Sequence, residues 1–294
     1  MTQVCTVCFA KCRIPEGGTG RCGARKNVNE KIVAANYGML TSMALDPIEK
    51  KPLRRFYPGA KILSVGSYGC NLRCPFCQNH AISMARQITD ESRTDSVRLI
   101  SGVVALSAEF WSPERLVELA STLKTKGNIG IAFTYNEPLI GYEYVLDSAK
   151  LAHEAGLKTV MVTNGTADAA VFEQLLPYID AMNIDLKGFR EEYYRDRLKG
   201  DLQQVLKNIK LAVGSCHVEL TTLIVPGYND SNEEMQDLAA WVADLPNGVD
   251  IPLHISRFFP SFEMTDARPT PIDKVYNLAE TAARYLHYVY TGNC

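Results

Sequence analysis

Tyr68-Gly-Cys-Asn-Leu-Arg-Cys-Pro-Phe-Cys-Gln78 is the most informative stretch of this 294-residue chain. It places three thiols, Cys70, Cys74 and Cys77, directly after residues 62–65, an apolar run that is typical of a β-strand. Three cysteines are one fewer than a closed zinc site or a closed iron–sulfur cluster needs. A [4Fe–4S] cluster held by this loop would leave one iron without a protein ligand. Because metal sites with an open position are catalytic sites, the spacing predicts a catalytic metal centre.

Two other interpretations of this loop stay open. Free cysteine behaves as a small hydrophobic residue, so the three thiols could simply be buried. The polar neighbours Asn71, Arg73 and Gln78 disfavour that reading, since such side chains are uncommon in a core. Alternatively, His80 could complete a zinc site, because three cysteines and one histidine are an accepted zinc ligand set.

Composition limits the possible partners. The net charge is −2 and 46% of the residues are hydrophobic, so no basic surface is available to attract nucleic acid or an anionic membrane. No apolar run reaches the roughly 18 residues that a membrane span needs, and the first residues do not resemble a signal peptide. We therefore expect a soluble, cytoplasmic protein with neither nucleic acid nor a membrane as a partner.

A second group of cysteines lies near the start of the chain. Cys5, Cys8, Cys12 and Cys22 have the spacing Cys-x2-Cys-x3-Cys-x9-Cys. Four thiolates complete either a zinc site or a [4Fe–4S] cluster, and Gly20-Arg-Cys-Gly23 resembles the knuckle of a zinc ribbon. Both metals remain possible. Because a site with four protein ligands has no place for a substrate, we expect a structural role.

The cysteine groups suggest a division of the chain. Residues 1–27 are too poor in apolar side chains to build a core, so a metal would have to hold them together. A proline-punctuated arm follows. We predict a first unit over residues 1–57, consisting of a four-cysteine metal-binding segment and this arm, and a second, larger unit over residues 58–294.

The larger unit alternates strands with helices, which indicates βαβ units, a parallel sheet and an α/β fold. Six such units are predicted, fewer than the eight of a closed barrel. The expected strands cover residues 62–67, 129–134, 159–163, 181–185, 218–225 and 251–256. The expected helices cover residues 113–126, 141–155, 167–176, 201–212, 232–243 and 272–285.

Polar residues follow each predicted strand. The cysteine loop follows the first strand, Thr134-Tyr-Asn-Glu-Pro138 the second, Thr163-Asn-Gly165 the third and Asp185-Leu-Lys187 the fourth. In parallel α/β architectures the chemistry lies in loops just past the carboxyl ends of the strands. We therefore expect all these residues at one rim.

Taken together, these motifs resemble radical S-adenosylmethionine (SAM) enzymes of the pyruvate formate-lyase-activating type. The resemblance is closest to the subfamily named AmmeMemoRadiSam-system enzymes, and it covers nearly the whole chain. It implies a partial (β/α)6 TIM-type barrel in which Cys70, Cys74 and Cys77 bind a [4Fe–4S] cluster. SAM would be the second cofactor.

The resemblance also implies an activity. SAM would be cleaved reductively to methionine and a 5′-deoxyadenosyl radical, which abstracts hydrogen from a protein or peptide substrate. The most concrete form is glycyl-radical activation of a pyruvate formate-lyase-like partner, with a one-electron reductant of the flavodoxin or ferredoxin type. The alternatives are radical modification of a small molecule or another macromolecule, and a non-catalytic zinc-binding module.

Several residues are candidates for holding SAM. Glu137 suits the amino group, Asp185 and Lys187 suit the ribose and the carboxylate, and Phe76 could pack beside the adenine. Each has a structural alternative: Glu137 could cap the next helix, and Asp185 could pair with Lys187. Of the other candidates, Asn164 could form a plain turn with Gly165, and His254 could be a core residue. The complete candidate set is Phe76, Glu137, Thr163, Asn164, Asp185, Lys187, His254 and Arg257.

Overall fold

The protein is described here from a computed structural model, which covers residues 1–88 and 96–294. The strands in those ranges are β1 (Gln3–Val4), β2 (Arg13–Ile14), β3 (Arg25–Val28), β4 (Lys31–Ala34), β5 (Met39–Leu40), β6 (Ser42–Pro47), β7 (Lys61–Gly66), β8 (Arg86–Ile88), β9 (Ser96–Ser101), β10 (Val104–Phe110), β11 (Asn128–Phe133), β12 (Lys158–Thr163), β13 (Ala181–Asp185), β14 (His217–Ile224), β15 (Leu253–Arg257) and β16 (Val289–Gly292). The α-helices are α1 (His80–Ser83), α2 (Pro113–Thr122), α3 (Tyr142–Glu154), α4 (Ala169–Leu175), α5 (Leu202–Val213), α6 (Asn232–Ala243) and α7 (Ile272–Ala282).

Eight strands form the central sheet, in the order β16-β15-β14-β13-β12-β11-β7-β6. Neighbouring strands from β7 to β16 are parallel, and β6 runs antiparallel to β7. Helices α2 to α7 each follow one parallel strand, so six βα units precede the final strand β16. In the described residues the two edge strands, β6 and β16, do not pair with each other. The α/β fold predicted from the sequence, a partial (β/α)6 barrel, is confirmed.

The sequence of each element explains its place in this barrel. Residues Ala181–Asp185 of β13 are buried up to Ile184, and strands covered on both faces are nearly continuous apolar runs. Helix α5 buries Leu202, Val205 and Ile209 along one face, as the helical period requires. Asp201 caps that helix by accepting a hydrogen bond from the Gln204 amide at 3.2 Å. None of the helices in the described residues has the length and apolar character needed to cross a membrane.

Some strands were not predicted. The proline-punctuated arm supplies β6, the antiparallel edge strand of the barrel sheet, followed by a short 3-10 helix, Ile48–Lys50. The chain after α7 supplies the other edge strand, β16. A separate four-stranded antiparallel sheet has the order β5-β10-β9-β8. Its strands β8, β9 and β10 lie between the cysteine loop and α2 in the sequence, whereas β5 precedes the loop.

The first 34 residues form two small hairpins, β1–β2 and β3–β4. This segment attaches to the carboxyl-terminal rim of the barrel, where Cys8 forms a β-bridge with Ala167. The Asp168 amide donates to the Val7 carbonyl at 2.8 Å. The four-cysteine segment therefore lies against the same rim that carries the cysteine loop.

Candidate functional site

A pocket of about 370 Å³ opens at the carboxyl ends of the central strands. Its lining contains all three cysteines of the loop after β7. It also contains six of the eight residues predicted to hold SAM. The predicted residues brought together there are Cys70, Cys74, Cys77, Phe76, Glu137, Thr163, Asn164, Asp185 and Lys187.

Burial controls the ionisation of the three thiols. It raises the pKa of Cys74 to about 11 and raises the pKa of Cys70 and Cys77 as well, although the Lys187 ammonium counteracts the effect at Cys74 and Cys77. The Leu72 amide donates to the Cys70 sulfur, and the Ser83 hydroxyl donates to the Cys77 sulfur. Because metal ligation requires thiolates, a bound metal would have to deprotonate these thiols.

The donor set fits a cluster with one open iron. In the described part of the pocket lining there is no fourth cysteine and no histidine. Across residues 1–88 and 96–294, no group of three His, Cys, Asp or Glu side chains is placed to hold a single metal ion. A four-iron cluster is larger than one ion and binds each thiolate to a different iron. His80 stacks on Phe262, with ring centroids 4.8 Å apart, so a site of three cysteines and His80 is not supported.

Glu137 connects two of the strand-end loops. It caps the short 3-10 helix Pro138–Gly141 by accepting from the Leu139 amide at 3.0 Å. The same oxygen, Oε1, accepts from the Thr163 hydroxyl at 2.7 Å, and Oε2 accepts from the Asn164 amide at 2.7 Å. Burial raises the pKa of Glu137 to about 7 despite these three donors. Glu137 therefore has the capping role weighed from the sequence and also faces the pocket.

Asn164 lies directly beside the cysteine loop. Its Nδ2 donates to Asn71 Oδ1 at 2.9 Å and approaches the Cys70 sulfur at 3.7 Å. Its Oδ1 accepts from the Thr166 hydroxyl at 2.6 Å, and that hydroxyl accepts from Asn71 Nδ2 at 2.8 Å. Gly165 adopts a left-handed conformation, with φ of 69°, which glycine does without steric cost. The turn predicted as an alternative is present, and it holds Asn164 against the loop.

Asp185 and Lys187 form the ion pair that was weighed against a binding role. Lys187 Nζ lies 2.8 Å from Asp185 Oδ2, and both residues line the pocket. Burial alone would lower the pKa of Lys187, but the charges of Asp185 and Cys74 outweigh it and raise this pKa. The pair therefore places a permanent cation beside the cysteine loop.

Phe76 is buried in the pocket wall. Its ring packs edge-to-face on Phe258, with centroids 6.3 Å apart. An aromatic ring held by such a contact cannot move freely, so Phe76 offers a fixed apolar surface at the edge of the pocket.

The structure corrects the prediction for His254 and Arg257, neither of which lines the pocket. His254 is buried near the amino end of β15, where its Nε2 lies 2.6 Å from Glu219. Arg257 Nε donates to the Thr270 carbonyl at 2.7 Å, and its guanidinium lies over the Phe259 ring. Both side chains make polar contacts within the fold and away from the pocket, which for His254 is the structural alternative considered from the sequence.

Sequence reasoning missed one polar group in the pocket, formed by Asp46, Lys51 and Tyr135. Lys51 Nζ and the Tyr135 hydroxyl both contact Asp46 Oδ2, at 2.9 Å and 2.7 Å. The Lys51 ammonium also lies over the Tyr135 ring, 4.6 Å from its centroid. Lys51 and Tyr135 line the pocket. Only the pairing of β6 with β7 brings the arm here, so no local sequence signal could have revealed the group.

The four cysteines near the start of the chain line a second, smaller pocket, together with Arg25 and Asn71. The amides of Ala24 and Arg25 both point to the Cys22 sulfur. Gly23 makes this turn possible with φ of 80°. The turn at Gly23 therefore directs backbone amides toward the Cys22 sulfur, as a metal-binding knuckle at Gly20-Arg-Cys-Gly23 would require.

Comparison with known proteins agrees with the radical SAM resemblance seen in the sequence. The family description of the radical SAM superfamily matches residues 64–242, from β7 to the end of α6. An uncharacterized protein of Methanocaldococcus jannaschii is 38% identical over 291 residues, which cover 98% of this chain and 80% of that protein. Pyruvate formate-lyase-activating enzyme of Clostridium pasteurianum is 25% identical over 185 residues, covering 61% of this chain and 68% of that enzyme.

A solved structure supports the fold. SuiB of Streptococcus suis superposes with a TM-score of 0.56 at 16% identity, covering 78% of this chain and 48% of SuiB. The family match spans the three-cysteine loop and the strands whose carboxyl ends surround it. The chain therefore belongs to the radical SAM superfamily and is similar to pyruvate formate-lyase-activating enzyme.

Proposed function

We propose that this enzyme cleaves SAM reductively and uses the resulting radical to abstract hydrogen from a protein or peptide. Its most concrete form is the creation of a glycyl radical on a pyruvate formate-lyase-like partner. The observation that carries the proposal is the pocket at the strand ends, which combines three loop cysteines with no fourth cysteine or histidine in its described lining. The similarity to pyruvate formate-lyase-activating enzyme supports this choice of substrate.

The chain's own residues have separate roles in this proposal. Cys70, Cys74 and Cys77 would each ligate one iron of a [4Fe–4S] cluster, which supplies one electron to SAM when both cofactors are bound. Glu137 would receive the SAM ammonium on Oε2, which has a single protein donor. Asp185 and Lys187 would bind the ribose and the carboxylate.

The second wall of the SAM site would come from Phe76, Thr163 and Asn164. Phe76 would pack beside the adenine ring, since it is already fixed against Phe258. Thr163 and Asn164 would hold Glu137 in place through the hydrogen bonds they donate to its carboxylate.

The open side of the barrel supports a macromolecular substrate. Lys51, from the arm next to β6, and Asn293, just after β16, both line the pocket. These two edge strands do not pair with each other in the described residues. A loop of a partner protein would therefore enter between them and reach the pocket from that side.

Three further assignments accompany this proposal. We propose a one-electron reductant of the flavodoxin or ferredoxin type, because the cluster must be reduced in each cycle. We place the enzyme in the cytoplasm, where reduced cysteines persist. We also propose that Cys5, Cys8, Cys12 and Cys22 hold zinc or a second iron–sulfur cluster.

The experiment is anaerobic turnover with SAM, dithionite and a synthetic peptide that carries an Arg-Val-x-Gly-Tyr loop with a dideuterated glycine. We expect 5′-deoxyadenosine that contains deuterium, measured by mass spectrometry, and a glycyl radical signal by electron paramagnetic resonance (EPR). SAM cleavage without deuterium transfer would contradict the glycyl substrate and favour a small-molecule target. Zinc in place of iron, with no SAM cleavage, would indicate the binding module.

Cys74→Ala provides the matched control. This thiol is one of the three proposed iron ligands, so we expect its removal to abolish both cluster assembly and SAM cleavage. Cys216→Ala removes a cysteine that does not line the pocket and should retain both. Unchanged SAM cleavage in Cys74→Ala would refute the site.

A further inference from the structure

The two groups of cysteines are in direct contact through the backbone. The Cys70 amide donates to the Cys22 carbonyl at 3.1 Å. Gly69, with φ of 88°, lies so close that a Cβ atom at this position would stand 2.5 Å from the Cys22 oxygen. Only glycine permits this approach. Each of the two hydrogen-bonded residues, Cys22 and Cys70, carries a thiol that lines its own pocket.

A second connection runs through side chains. Asn71 lines the four-cysteine pocket together with Cys8, where its amide favours the Cys8 thiolate, and it accepts from Asn164 Nδ2 at 2.9 Å. The same Nδ2 lies 3.7 Å from the Cys70 sulfur. Asn71 and Asn164 are both buried. A continuous chain of polar contacts therefore joins a sulfur of one pocket to a sulfur of the other.

Arg25 indicates that the four-cysteine pocket holds an anionic group. The residue is 4% exposed and lines that pocket. Its Nη1 donates to Glu143 at 2.7 Å and to the Ile140 carbonyl at 3.3 Å, but its Nε has no partner among residues 1–88 and 96–294. A buried donor without an acceptor is costly. A metal centre with four thiolates is negatively charged and would supply the missing acceptor.

The spacing of the thiols favours a cluster over zinc. Zinc–sulfur bonds of about 2.3 Å place tetrahedral sulfur atoms only about 3.8 Å apart. In the described residues neither cysteine group has three members placed to hold a single ion. The three cysteines after β7 are likewise not placed to hold a single ion. Membership in the radical SAM superfamily implies a [4Fe–4S] cluster at those three cysteines. The four-cysteine pocket has the same character and one additional ligand.

We infer that Cys5, Cys8, Cys12 and Cys22 hold a second [4Fe–4S] cluster that passes electrons to the cluster on Cys70, Cys74 and Cys77. The relay step rests on the proposed function. One electron would leave the flavodoxin- or ferredoxin-type reductant and reduce the four-cysteine cluster from 2+ to 1+. The same electron would then cross the contact between Cys22 and Cys70 and reduce the cluster on Cys70, Cys74 and Cys77, which returns the four-cysteine cluster to 2+. No atom is transferred.

The metal content tests the cluster itself. The variant Cys70→Ala/Cys74→Ala/Cys77→Ala, purified without oxygen, should retain about four iron and four sulfide per chain and give a reduced-cluster EPR signal. Because this variant can misfold, the wild-type protein gives a second measurement, with about eight of each expected. Zinc in the four-cysteine pocket, iron without sulfide, or a wild-type content near four iron would overturn the inference.

Reduction kinetics test the relay. Cys12→Ala removes one ligand of the four-cysteine cluster and leaves the pocket after β7 intact. With a reduced flavodoxin as reductant, rapid-freeze EPR should show the remaining cluster reduced about tenfold more slowly or worse, a barrier change of at least about 1.4 kcal/mol. With dithionite, a small reductant, the two proteins should be alike. Equal rates with flavodoxin would overturn the relay.

These readouts are independent of the proposed function. Metal content and the rate of cluster reduction require neither SAM cleavage nor a substrate. If both results hold and no 5′-deoxyadenosine forms, the proposed function fails and the four-cysteine cluster stands. If SAM is cleaved and the four-cysteine pocket holds zinc, the inference fails and the proposed function stands.

Discussion

Glu137 combines a structural role with a position in the pocket lining. Its two oxygens accept three hydrogen bonds that connect the loops after β11 and β12. Burial nevertheless raises its pKa to about 7, so near neutral pH the group is only partly ionised. A ligand cation placed beside it would favour the charged form.

This gives a prediction for SAM binding. If Glu137 receives the SAM ammonium, binding should release a proton near pH 7, because the bound cation lowers the raised pKa of the carboxyl. The affinity for SAM should increase between pH 6 and pH 8. Titration calorimetry of the cluster-loaded protein in two buffers of different ionisation enthalpy measures the proton. Glu137→Gln, which cannot ionise, should release none, and equal release by both proteins would contradict the assignment.

Arg25 allows a prediction about redox potential that follows from the inferred second cluster. Reduction adds a negative charge, which the buried guanidinium stabilises. Arg25→Gln should therefore shift the midpoint potential of the four-cysteine cluster to more negative values. The potential of the cluster after β7 should change less.

Glu143, the ion-pair partner of Arg25, provides the matched control. Glu143→Gln leaves the guanidinium unopposed, so it should shift the same potential in the positive direction. EPR-monitored redox titration measures both variants. A shift of the same sign in the two variants would show that the charge of Arg25 does not act on the cluster.

At the scale of elements, the loop after β7 requires a glycine at position 69. Gly69 has φ of 88° and no room for a Cβ atom beside the Cys22 carbonyl. Gly59 has a similar φ of 81°, but nothing lies within 4 Å of the corresponding position. The two glycines thus share the backbone strain of a substitution and differ only in the steric clash.

We therefore expect different outcomes for alanine at these two positions. Gly59→Ala should cost about 1–2 kcal/mol of unfolding free energy, which is the strain of a left-handed non-glycine residue. Gly69→Ala should cost more and should also separate Cys70 from Cys22, which lowers the iron content. Urea unfolding and iron analysis measure the two effects. Equal losses in the two variants would contradict the proposed close contact.

At the scale of the whole molecule, a buried charge cluster closes the end of the barrel opposite the pocket. Glu219 is fully buried in β14 and faces His217 and His254, at 3.0 Å and 2.6 Å. The amides of Arg54 and Arg55 donate to the same carboxylate at 3.0 Å and 2.7 Å. Glu219 therefore joins β14, β15 and the arm before β7.

This cluster predicts a loss of stability in acid. Burial opposes ionisation of Glu219, but the two imidazoles and the two amides outweigh it and lower its pKa to about 2. Since the folded pKa is lower than the unfolded one, the contribution is complete above about pH 4.5 and disappears toward pH 2. It is on the order of 3 kcal/mol.

Denaturant unfolding at several pH values checks this prediction. The stability difference between wild type and Glu219→Gln should be constant from pH 7 to about pH 5 and shrink below that, because the glutamine does not titrate. Both proteins carry the same cysteine groups, so the cysteines do not contribute to this difference. A difference that stays constant down to pH 3 would contradict the lowered pKa.

Helices and strands were predictable from the sequence where their own residues form an apolar run or a helical repeat. The parallel strands from β7 to β15 are apolar runs, and helices such as α5 repeat their buried residues every three or four positions. The antiparallel sheet of β8, β9 and β10 was missed even though β9 alternates buried and less buried residues from Ser96 to Ser101. Polar residues such as Arg98 alternate with the apolar ones in β9, so this strand contains no continuous apolar run.

The residues of the pocket were predictable where they directly follow a predicted strand. The spacing of Cys70, Cys74 and Cys77, and the polar residues after each strand, determined which residues reach the rim, because parallel strands end at a common edge. His254 and Arg257 were misplaced, since the sequence does not tell which end of β15 each side chain approaches. For His254 the buried carboxylate of Glu219 decided that question.

By itself, then, the sequence determined the class of fold, the place of the three-cysteine loop and the order of residues around the rim, since spacing and periodicity are local properties. The tertiary structure alone decided which distant residues meet: the arm that brings Lys51 into the pocket, and the contact of Cys22 with Cys70. Those contacts join residues far apart in the chain through packing and backbone hydrogen bonds. Such partners are chosen by the folded shape as a whole, and no short stretch of sequence specifies them.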